Sequence, residues 1–143
     1  MTAHPTNFAG LAAQVSSLPF VAAHGIEIIA MEPGRSTAAM DFDERFATPP
    51  DLFPASMVGM LGDVAAISAC MAAVAPASCA TLDFTVKMTA QARGSRLEAE
   101  GVALQAGSTI AVGRADVFAI APSGERVLCA TVLATGRVIR GKS

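Results

Sequence analysis

Tryptophan and tyrosine are absent from this chain, histidine occurs twice, and charged side chains occupy only 15% of its 143 positions. Its 10 basic residues stand against 12 acidic ones, for a net charge of −2. That balance offers no electrostatic footprint for a nucleic acid partner. Neither His4 nor His24 has companions at metal-ligand spacing, so no metal site and no resident cofactor are expected. The three cysteines, Cys70, Cys79 and Cys129, are odd in number and lack CxxC spacing. They lie in apolar surroundings, read as reduced core residues, and fit a cytoplasmic protein. No GxSxG elbow and no glycine-rich phosphate loop occurs. The opening MTAHPTNFAG has neither the basic start nor the apolar stretch of a signal peptide. Without internal repeats or low-complexity linkers, residues 1–143 are expected to form one domain, with its core at about 24–140.

What is abundant is apolar. Hydrophobic residues make up 52% of the chain, high for a globular domain and suited to an oligomer that hides part of its surface. The densest stretch is FATPPDLFPASMVGMLGDVAAISACMAAV, residues 46–74. Pro49, Pro50 and Pro54 forbid a helix before Ala55, because each lacks an N–H and restricts the residue ahead of it. From Ser56 to Val74 a helix about 28 Å long is predicted, apolar on every face. Its length would suit a membrane span. Asp63 near its middle, Gly59, Gly62, the many alanines and the lack of flanking Lys or Arg argue instead for a core helix. Asp63 is the only charge on it. Buried unpaired, that carboxylate would lose several kcal/mol of hydration, so it needs a hydrogen-bond donor or a cleft.

Around this helix the pattern is mostly extended. Residues 7–17 show helical spacing with Asn7 as N-cap, ended by Pro19. Residues 25–31 and 35–43 form a hairpin across Pro33-Gly34. Thr81 to Met88 alternates, with Leu82, Phe84, Val86 and Met88 on one face and Thr81, Asp83, Thr85 and Lys87 on the other. Three more strands follow at 97–105, 109–120 and 126–139, with a bulge or bend expected at Gly101. A helix that is apolar all round needs a sheet that wraps it.

The order and spacing of HGIEI…EPGRS, Leu61-Gly62-Asp63-Val64-Ala65, FTVKMTAQARGSRLEAEG, GRADVFA and GERVLCATVLATGRV resemble the hotdog-fold acyl-CoA thioesterases of the 4-hydroxybenzoyl-CoA and phenylacetic-acid-degradation (PaaI-like) type. The resemblance spans about residues 25–138. It implies an α+β fold, a six-stranded antiparallel sheet around one long helix, with a homodimer joined edge to edge and often a tetramer. It also implies hydrolysis of an acyl-CoA thioester, coenzyme A being part of the substrate. That family opens its helix with His-Gly-Gly and places an acid nine residues after the His; here Pro54, Ala55 and Ser56 precede Asp63. The acid would act as general base or nucleophile, and the Ala55 N–H at the helix start would polarise the thioester carbonyl. Ser56 also reads as a helix cap. Where many members carry Ser or Thr one turn after the acid, this chain has Ile67.

Thr48, Pro54, Gly59 and Ile67 are the expected substrate contacts, Thr48 near the acyl group, and Lys87, Arg93, Arg96 and Arg114 the expected cations for coenzyme A, with Arg93 and Arg96 preferred. The glycines equally suit close packing against a strand. Pro54 and Ile67 favour the rival reading, an acyl-CoA-binding or scaffold hotdog without activity. One inference stands apart from the family: from Ala55 to Asp63 is about 12 Å of helix. One carbonyl cannot touch both, so a catalytic site requires two protomers.

Overall fold

The computed structural model describes residues 5–141. Two short helices, α1 (Phe8–Ser16) and α2 (Pro19–Ala23), precede a hairpin of β1 (Glu27–Glu32) and β2 (Arg35–Asp41). The long helix α3 (Ala55–Val74) leads into β3 (Ser78–Met88), β4 (Arg96–Ala106), β5 (Ile110–Ile120) and β6 (Arg126–Ile139). All six strands form one antiparallel sheet in the order β1-β2-β4-β5-β6-β3. The sheet curls around α3, whose Val58, Leu61, Ala65, Ala66 and Cys70 are fully buried. The one helix with the length for a span among the described residues is therefore the core of the sheet.

Glycine explains how a helix and a sheet come this close. A Cβ on Gly101 would collide with the Ala65 carbonyl, and one on Gly113 would lie 2.5 Å from the Ala66 carbonyl oxygen. Gly101 thus pairs regularly with Ser36 and Ala115. The expected bend lies elsewhere in the strand, at the register shift between Ala103 and Gln105. Gly59 and Gly62 do the same from the helix side: a Cβ on Gly59 would sit 2.8 Å from Val86, and one on Gly62 would strike Val132.

Asn7 caps α1 as expected, its side chain accepting from the Gly10 N–H at 2.9 Å. Pro19 does more than stop that helix. It opens α2 at the first helical position, where its missing N–H costs nothing.

The two sheet edges differ. Beside β1, the Ser16 hydroxyl accepts from the Ile28 N–H at 3.0 Å and donates to the Ala12 carbonyl, so α1 closes that edge. Along β3 none of the described residues pairs with the outer edge, and Leu82, Phe84 and Met88 are 60%, 44% and 41% exposed. A long, apolar, uncovered edge is a template for pairing with another strand.

Candidate functional site

Asp63 is half-buried on the face of α3 that looks toward the start of β3. It borders a hollow of about 300 Å³ that also involves Ile67 and Met71 of α3, Cys79 and Thr81 of β3, and Phe20 of α2. The Thr81 hydroxyl donates to Asp63 Oδ1 at 2.9 Å. Burial pushes the Asp63 carboxyl above its ordinary value, and the Thr81 hydrogen bond partly offsets this. Oδ2 accepts no hydrogen bond from the described residues. A carboxylate held at one oxygen, open at the other and raised by burial above its ordinary value is equipped to take a proton from water or to attack a carbonyl.

Thr81 is the residue that sequence reading placed on the wrong face. Alternation groups it with Asp83, Thr85 and Lys87, on the face opposite Phe84 and Val86. The register with β6 instead slips between Thr81 and Asp83, leaving Leu82 as an extra residue. The slip turns Thr81 onto the helix side, in phase with buried Cys79 and opposite Gly136. A bulge that re-aims one side chain is a recurrent device next to functional sites. The signal in the sequence is a threonine eighteen residues after the acid, and nothing in the local alternation betrays the bulge.

At the other end of α3 lies a second, more open hollow bordered by Leu52, Pro54, Ala55, Met88 and Ala90. Pro54, extended at φ −70 and ψ 155, is the N-cap and offers no side-chain cap; its carbonyl accepts from the Met57 and Val58 N–H groups. Ser56 is therefore inside the first turn and does not cap the helix. Ala55 and Ser56 are exposed, and their N–H groups have no hydrogen-bond partner among the described residues. These are the orphan donors that every helix start presents, with the positive end of the helix dipole behind them.

The remaining candidates separate. Ile67 borders the Asp63 hollow. Gly59 is buried under Val86 and Phe84 and borders neither hollow, so close packing accounts for it. Thr48 is exposed in a tight loop, exchanging backbone hydrogen bonds with Leu52 at 2.8 and 2.9 Å. Arg93, next to Ala92 at the helix-start hollow, is paired with Asp51 at 3.0 Å. Arg96 is held by Asp41 at 2.9 Å and Glu98 at 3.1 Å. The two cations preferred for phosphate are thus both engaged by carboxylates. Lys87 and Arg114 have no ion-pair partner among the described residues, and their registers with Thr131 and Leu133 place both on the sheet face turned away from α3.

His24 is engaged locally: its Nδ1 lies 2.7 Å from the Phe20 carbonyl, to which it donates, and its ring packs at a tilt of 42° against Phe46. His4 lies outside the described residues. All three thiols are free and buried, and burial pushes Cys70 up to about 12. No group of His, Cys, Asp and Glu among the described residues is arranged to hold a metal.

A six-stranded antiparallel sheet wrapped around one long helix is the hotdog fold, and solved structures agree. A thioesterase family protein from Silicibacter pomeroyi is 25% identical, with 94% of this chain and 100% of that one aligned at a TM-score of 0.86. A thioesterase from Haemophilus influenzae is 21% identical over 96% of this chain and 93% of its own, at 0.77. A mutant thioesterase from Pseudomonas aeruginosa is 20% identical over 95% and 96%, at 0.75. No protein-family profile matches the chain, and no curated protein matches it. The chain has the hotdog fold, and the structures it resembles are thioesterase-superfamily proteins.

Proposed function

We propose that this protein is an acyl-CoA thioesterase, hydrolysing a thioester to a carboxylic acid and free coenzyme A at a site shared by two copies of the chain. The observation that carries the reading is Asp63: a single carboxylate raised by burial, held at Oδ1 by Thr81 and facing an apolar hollow. The likeness to thioesterases supports thioester hydrolysis as the reaction class. Asp63 removes a proton from water or attacks the thioester carbonyl directly, while the Ala55 N–H, with that of Ser56 beside it, receives the developing oxyanion.

The open edge of β3 supplies the second copy. The Asp63 hollow sits at residues 79–81 of this strand, and the helix-start hollow at residues 88–92. Antiparallel pairing of two β3 edges about a two-fold axis brings the first hollow of one copy to the second hollow of the other. A register centred on Thr85 also sets Asp83 opposite Lys87 and Phe84 opposite Val86, so charge and apolar pairs both match. In this arrangement Arg93 is the cation of the expected set nearest the shared site, and Lys87 serves the interface. Three thiols without a disulfide suit a cytoplasmic site of action.

The test is thiol release from a panel of acyl-CoA thioesters, with an enzyme-only blank because the protein's own cysteines react with the dye. Turnover that falls by about 10²-fold in Asp63→Asn supports the reading. Binding without turnover across the panel assigns the protein to the rival class, an acyl-CoA-binding hotdog, which Pro54 in place of a donor side chain favours.

A further inference from the structure

The Asp63 hollow has a shape and a chemistry beyond what hydrolysis requires. Asp63, Ile67 and Met71 are spaced four apart, so they line one face of α3. The hollow runs from the carboxylate toward the helix C-terminus for about 12 Å. Its volume is about 300 Å³, against roughly 150 Å³ for a dry cavity that holds one benzene. The corner between α1 and α2 roofs it with Leu18 and Phe20, which stand 41% and 51% exposed. Among the described residues no Lys, Arg or His borders it, and Asp63 is the only charge there.

We propose that this hollow is the compartment for the acyl group, that it admits uncharged alkyl or aryl acyl groups larger than a single ring, and that it rejects acyl groups ending in a carboxylate. The proposal rests on the thioesterase reading only in setting the thioester carbon at Asp63. A terminal carboxylate would be carried into apolar lining with no cation to meet it and one like charge already present. Met71, unbranched and only partly buried, forms an end wall that can adapt to chain length. Phe20 and Leu18, contributed by the segment ahead of the sheet, complete the roof.

The test uses non-hydrolysable thioethers, so that binding and turnover are read apart. Wild-type protein is titrated calorimetrically with S-hexyl-CoA, S-(5-carboxypentyl)-CoA and free coenzyme A. The hexyl compound is expected to bind at least about ten-fold more tightly than the other two, reflecting the cost of burying an unpaired charge. Met71→Phe, which shortens the hollow, and Phe20→Ala, which opens its roof at an exposed position, should both weaken the hexyl compound and leave free coenzyme A unchanged. Equal binding of the two thioethers, or variants that leave the preference intact, would overturn the compartment. Absence of binding by every compound would overturn it together with the thioesterase reading. A hexyl preference that persists while no thioester is hydrolysed overturns the thioesterase reading alone.

Discussion

Replacing Asp63 by asparagine keeps the size of the side chain and removes its charge, which separates catalysis from stability. Because burial raises this carboxyl, its ionised form destabilises the folded state above the raised pKa. That cost fades as pH falls through the folded value and is gone below the unfolded one, at about 3.9. Asp63→Asn should therefore match or exceed the wild-type Tm at neutral pH, with the gap closing toward about pH 4. Thioester turnover should fall over the same comparison. A variant that loses stability at neutral pH would mean the charge is held by partners rather than penalised by burial. For Thr81, the expected effect of Thr81→Val is an upward move of the acid limb of kcat/KM, since the hydroxyl lowers the Asp63 pKa. Thr81→Ser should restore it, and a limb that does not move would show that the hydrogen bond leaves the chemistry untouched. At this scale the sequence exposed Asp63, a lone charge in an apolar helix, but concealed Thr81, because one inserted residue reverses which face a strand side chain takes. It also concealed the pairing of Arg93 with Asp51, two residues 42 apart that only the fold unites.

At the scale of elements, α3 was legible as a long apolar run bounded by prolines, and the strands as alternating stretches separated by turn signals. The exceptions have local causes. α2 went unseen because Pro19 reads as a stop, although proline is equally suited to begin a helix. Gly101 looked like a bend, whereas it makes room for the Ala65 carbonyl, a contact made 36 residues away in sequence and invisible to local pattern. The β3 edge yields a prediction of its own. If two edges pair about Thr85, Lys87→Asp sets like charges opposite each other twice per dimer and should weaken association, as cross-strand like charges do. Adding Asp83→Lys restores the complementarity with the signs exchanged. Sedimentation equilibrium reads both variants; a dimer indifferent to Lys87→Asp would place the interface or its register elsewhere.

The whole molecule combines a covered edge, an open edge and two hollows. The hollow with the carboxylate and the hollow with the orphan N–H groups lie at opposite ends of β3; in the proposed reading each is half of one site. Their union in a two-fold dimer is the central claim, and subunit complementation tests it most directly. Asp63→Asn disables one half-site. Ala55→Pro disables the other by deleting its N–H, and the extended Pro54 already has the backbone that a following proline demands. Each variant alone should lose about 10²-fold or more in turnover, the scale of losing a base or an oxyanion donor. Co-expressed, the two chains form mixed dimers in which one site carries both lesions and the other carries none. Half the dimers being mixed and half their sites intact, specific activity should recover to about a quarter of the wild-type value. Activity that stays at the level of the single variants would contradict a site shared between two chains.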